Sequence, residues 1–148
     1  MELIENWKTL QRIGNYEFEQ GQWQNASHYY MNSILLLRQH LSEILEQQHE
    51  DAGEVIICLS IAVQNLADTY YRQSRPNCCI SLLNRALRNF QQLQNRLSPE
   101  HPAAVALLRE ACQLRQLLFM HRETDNPTMT VGDTAVSGYD KPACSRLH

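Results

Sequence analysis

Five cysteines and six histidines are the residues of this chain best equipped for metal or redox chemistry. A single ion needs its ligands close together, typically in a CxxC pair or two helical residues four apart. Cys58, Cys78, Cys79, Cys112 and Cys144 form no CxxC pair, and His28, His40, His49, His101, His121 and His148 are scattered. Cys112 and His121 share a stretch of helix, but their separation of nine residues puts them two and a half turns apart. Cys78 and Cys79 are adjacent, and adjacent side chains on a helix point apart, so a disulfide between them would strain the backbone. No Gly-rich phosphate loop, GxSxG or HExxH occurs. The sequence therefore predicts no catalytic site, no metal and no cofactor. Cys58, Cys79 and Cys112 fall on apolar helical faces, where cysteine behaves as a small hydrophobe. An odd cysteine count without paired spacing favours a reducing cytoplasm.

The elements that would position any site are helices. Apolar residues recur three and four apart through Leu3, Ile4, Trp7, Leu10, Ile13-Gly14 and Phe18, predicting a helix over about 3–20 that Gly21 ends. A second stripe, Trp23, Ala26, Tyr30, Ile34, Leu37, Leu41 and Ile44-Leu45, predicts a helix over about 22–48. His49 to Gly53 form the break. A third helix runs to about Gln73 through Val55-Ile56, Leu59, Ala62-Val63, Leu66-Ala67 and Tyr70. It is apolar around much of its circumference, which implies neighbours on two sides. Pro76 opens a fourth helix through Leu82-Leu83, Ala86-Leu87, Phe90 and Leu93. The run Ser98 to Pro102 separates it from a fifth, whose stripe reads Val105, Leu108, Ala111-Cys112, Leu114 and Leu118-Phe119. From Glu123 the pattern stops, and Pro127, Gly132, Gly138 and Pro142 punctuate a polar stretch. Residues 1–122 are predicted as one helical domain and 123–148 as a flexible polar tail.

The first two pairs of helices share a frame. Ile13-Gly14 correspond to Leu66-Ala67, Gly21 to Ser74, and Ala26, Tyr30 and Ser33 to Cys79, Leu83 and Ala86. Twelve residues separate Gly14 from Ala26 and Ala67 from Cys79, and seven more lead to Ser33 and to Ala86. In this frame the chain resembles the tetratricopeptide repeat family, whose pattern runs W-x2-L-G-x2-Y and then A-x3-F. The matching residues are Leu10-x2-Ile13-Gly14 with Ala26-x3-Tyr30, and Val63-x2-Leu66-Ala67-x2-Tyr70 with Cys79-x3-Leu83. The copies are 53 residues apart, against a family period of about 34, so the helices or the loop between copies are longer than usual. His101-Pro102 ahead of Val105, Leu108 and Ala111-Cys112 is similar to the kinesin-light-chain type of these repeats, as is Gln64 to Ala67. The resemblance implies an all-α, tetratricopeptide-like right-handed array of about five antiparallel helices, the fifth unpaired and capping the end.

The family binds an extended peptide or a helix of a partner in a concave groove lined by the first helix of each repeat. Carried onto this chain, the resemblance places Asn15 and Asn65 where the family sets ligand-binding asparagines, whose amides both donate and accept. Asp68, Tyr71 and Arg72 would share that face on the third helix, and Lys8 and Arg12 on the first. Gln11 stands at one expected basic position, so a full carboxylate clamp is not expected. The implied function is a protein–protein interaction module, an adaptor, co-chaperone-like module or regulatory subunit whose groove the tail could fill. A self-associating structural protein, a homodimer for instance, is the alternative.

Charge fits either. The net charge of −3 argues against a general nucleic-acid binder. Residues 1–50 hold seven acids and three bases, whereas residues 51–122 hold five acids and eight arginines. That asymmetry is that of an ordinary solvated surface, or suits stacking, self-association or an acidic partner. No run approaches the roughly 18 apolar residues that a membrane helix needs.

Overall fold

The computed structural model describes residues 1–125, with side chains through Glu123, and the expected tail from 126 onward lies outside the described residues. Five α-helices account for the described chain: α1 (Glu2–Glu19), α2 (Trp23–Glu46), α3 (Ala52–Arg72), α4 (Pro76–Arg96) and α5 (Ala104–Asp125). No strand occurs among the described residues. Each boundary lies within a few residues of the expected one, except that α5 continues to Asp125, beyond the expected end near residue 122.

Three breaks close in the same way. Gly21 (φ 73°), Gln48 (φ 49°) and Ser74 (φ 59°) adopt the left-handed backbone just past α1, α2 and α3. The amide of Gly21 bonds Phe18 O at 3.0 Å and that of Gln22 bonds Glu17 O at 2.9 Å. Ser74 and Arg75 repeat these bonds to Tyr71 O and Tyr70 O, and Gln48 and His49 to Leu45 O and Ile44 O. This paired closure satisfies carbonyls that the helix end would otherwise leave without partners. Only Gly21 takes the left-handed position without steric cost.

The core is continuous from Ile4 to Leu118. Helix α3 is its axis, packing against α2, α4 and α5 and more lightly against α1. That explains why it is apolar on several sides: Val55, Ile56, Leu59, Ala62, Val63, Leu66 and Ala67 are all buried. Small residues set the closest approach. A β-carbon on Gly14 of α1 would sit 2.7 Å from Tyr30 Cε1 of α2. Tyr30 is itself fully buried, so α1 approaches α2 this closely because residue 14 has no side chain. His101 fastens the start of α5 to the end of α2. Its Nδ1 accepts the Ala103 amide at 3.0 Å, leaving Nε2 to donate to Leu45 O at 2.8 Å.

Candidate functional site

The seven residues expected along a groove divide by exposure. Lys8, Arg12 and Arg72 are exposed, Asn15 and Tyr71 are half-buried, and Asn65 and Asp68 are buried. Lys8 Nζ pairs with Glu5 at 3.4 Å, one turn away on α1. The Asn15 carboxamide oxygen accepts the Tyr30 hydroxyl at 2.7 Å, which ties α1 to α2. Arg72 Nε lies 3.6 Å from the Asp68 carboxylate, and its guanidinium stands 6.0 Å from the Phe18 ring of α1. Tyr71 packs its ring against His121 of α5, with centroids 5.3 Å apart.

Asn65 belongs to a buried chain of amides. Its Nδ2 donates to Gln11 Oε1 at 2.7 Å, Gln11 Nε2 donates to Ser33 Oγ at 2.7 Å, and the Ser33 hydroxyl donates to Tyr30 O at 2.7 Å. All three side chains are fully buried, so one relay joins α3, α1 and α2 through the core. Burying amides without partners costs free energy, and the three bonds offset that cost except at Asn65 Oδ1, which is buried without a partner among the described residues. The relay was legible only in part. Gln11 falls on the row Ile4, Trp7, Gln11, Gly14 and Phe18, all buried, and Ser33 lies among buried residues of α2. A polar residue on an apolar row is the available signal. Its partner 54 residues away is not.

Two titratable groups inside the fold have pKa values moved by burial. Burial is the largest cause that pushes the Cys58 thiol up to about 12, and Glu54 adds to it while Lys8 opposes it. A thiol held protonated is a poor nucleophile. Burial lowers the His121 pKa, an effect that the Asp68 charge partly offsets. Among the described residues, no group of three His, Cys, Asp or Glu side chains is placed to hold a metal ion. No described helix is long and apolar enough to cross a membrane.

Helix α5 departs most from expectation. The expected stripe was Val105, Leu108, Ala111-Cys112, Leu114 and Leu118-Phe119, of which Ala111, Leu114 and Leu118 are buried. In the structure Val105, Leu108 and Phe119 are 65%, 63% and 64% exposed, and Cys112 is exposed as well. The side facing the core carries Leu107, Ala111, Leu114, Leu118 and His121. The helix is thus apolar on two sides, and among the described residues the side toward α3 and α4 is the covered one.

The exposed row lies in register with buried positions elsewhere. Counting back seven and four residues from Cys112 reaches Val105 and Leu108. The same count from Ala67 reaches Ser60 and Val63, and from Gly14 it reaches Trp7 and Leu10. On α3 all three positions are buried, and on α1 Trp7 and Gly14 are buried and Leu10 half-buried. Val105, Leu108 and Cys112 have the same spacing and no cover among the described residues.

Among the described residues, the chain is all-α with five helices, knit by buried amides between α1, α2 and α3 and with an exposed apolar row on α5. The chain matches the family described as protein of unknown function (DUF2753) over residues 5–133, and it belongs to that family. No curated protein and no solved structure matches it.

Proposed function

We propose that this chain is a protein–protein interaction module, built as a tetratricopeptide-like right-handed array of antiparallel helices. It presents the outer row of α5 to a partner. The observation that carries the reading is the exposure of Val105, Leu108 and Phe119 along one side of α5. Large exposed apolar patches on soluble proteins mark surfaces that another molecule covers. The array reading is supported by Gly14 lying beneath Tyr30. In this array α1 with α2 and α3 with α4 form two repeats, and α5 is the first helix of a third. The docking surface moves from the inner groove to the end of the array, because Asn65 and Asp68 are buried and Tyr71 is engaged by His121.

The test is affinity capture from the source cell with three baits: wild type, Leu108→Asp/Phe119→Asp, and Arg12→Ala/Arg72→Ala. A protein retained by wild type and by the arginine variant, but lost by the α5 variant, supports an end-docking module. A protein lost by the arginine variant alone would return the interface to the inner face. Retention of the same proteins by all three would overturn both locations.

A further inference from the structure

We infer that the outer row of α5 binds an acidic amphipathic helix of another protein, seated as α2 is on α1 and α4 on α3. The inference rests on the interaction reading above and names the partner's chemistry. The shape of the occupant comes from the chain itself. Val105, Leu108 and Cys112 have the spacing of Trp7, Leu10 and Gly14, and Gly14 is covered by Tyr30 of α2. The covering helices place buried Ala26, Tyr30 and Ser33, or Cys79, Leu83 and Ala86, against the core. An occupant of the same kind carries a small residue, a large apolar residue four positions later and a small one three beyond that. From Val105 to Phe119 the row runs about 21 Å at 1.5 Å per residue, four turns of helix.

Charge distinguishes the source of that helix. Arg109 follows Val105 by four residues and precedes Cys112 by three. Arg115 follows Cys112 by three and precedes Phe119 by four. Both therefore border the row on the helix surface, and both are exposed. Neither has an acid three or four residues away, and neither has an ion-pair partner among the described residues. The nearest acid toward the end of the row is Glu123, two turns beyond Arg115. A second copy of α5 does not answer this pattern. Val105 and Phe119 are each seven residues from Cys112, so a two-fold axis at Cys112 would set them against each other. The same axis would bring Arg109 of one copy against Arg115 of the other, and juxtaposed like charges oppose association. Glu or Asp beside the apolar stripe of a different helix would meet both arginines.

The test is fluorescence anisotropy on the full chain with two labelled peptides. One repeats residues 76–96 of this chain. The other is the same peptide with Arg85→Glu, Arg88→Glu and Arg96→Glu, three positions that are exposed on α4. The acidic peptide is expected to bind about tenfold or more tightly than the basic one. Leu108→Asp should abolish that binding. Arg109→Glu/Arg115→Glu should reverse the preference, a change that loss of fold would not produce. Absence of binding by the acidic peptide, or equal binding of both peptides, would overturn the inference. So would a dimer of the chain, seen by light scattering, that Leu108→Asp converts to monomer, because the occupant would then be a second copy. If capture from the cell depends on Leu108 and the acidic peptide does not bind, the interaction reading survives and the acidic helix falls. If capture is indifferent to Leu108 as well, both fall.

Discussion

Helices α3 and α5 are both written in apolar residues spaced three and four apart, yet they have opposite surroundings. Helix α3 touches each of the other four helices and buries even polar Ser60, Asn65 and Thr69. Helix α5 packs against α3 and α4 and leaves Val105, Leu108 and Phe119 more than half exposed. Composition contributes, since α5 carries more charged and amide side chains than α3, but position decides which apolar residues are covered. A helix in the middle of a stack finds cover on every side, and one at the end keeps a side free. Apolar residues on that side contribute little to the chain's own stability, as the proposed docking surface requires.

Truncations give the sharpest contrast. Leu66→Ala on α3 removes a fully buried side chain and should cost about 2–5 kcal/mol. Leu108→Ala on α5 should change stability by no more than about 0.5 kcal/mol. Urea denaturation of the two variants measures both, and a large loss from Leu108→Ala would mean that the row is already covered in the free protein. Close packing at the start of the chain comes next. Gly14→Val drives a side chain into Tyr30 and should cost about 1–3 kcal/mol, read as a lower denaturation midpoint. A wild-type midpoint would break the account of how α1 meets α2.

Asn65→Ala removes the donor to Gln11 Oε1 and should cost about 1–3 kcal/mol by leaving a buried acceptor without a partner. If Gln11→Ala and Asn65→Ala cost together much less than the sum of their separate effects, the relay is one coupled unit. Strict additivity would break the relay. The smallest effect is on pH dependence. Burial lowers the folded-state pKa of His121 below its usual 6.5, so folding disfavours the charged ring. The stability this neutral ring supplies is present above pH 6.5 and declines as pH falls from there toward the folded-state value. Thermal melts of wild type and His121→Phe between pH 7.5 and about pH 5 should show the flatter profile for the variant. Equal slopes would show that His121 is not the source.

How much of this was legible depended on the range of the interaction. The turn after α1 could be placed because Gly21 announces a left-handed residue. Ser74 takes the same backbone and was located by its register with Gly21. Asn65 was misplaced because an asparagine in an apolar stretch reads alike whether it awaits a ligand or bonds Gln11. Only the approach of α1 to α3 distinguishes the two. Lys8 and Arg12, expected along the groove, are exposed.

What the sequence determined by itself was the number of helices, their near-boundaries and the small residues at which they meet. These follow from a 3.6-residue period, turn residues and side-chain volume, all local properties. Tertiary structure alone decided which side of α5 faces inward. Leu107, Leu114 and Leu118 compete with Val105, Leu108 and Phe119 for the core, and both rows satisfy the helical period. The first row lies toward α3 and α4, and contacts formed across the chain, not spacing along it, settle which apolar side is buried.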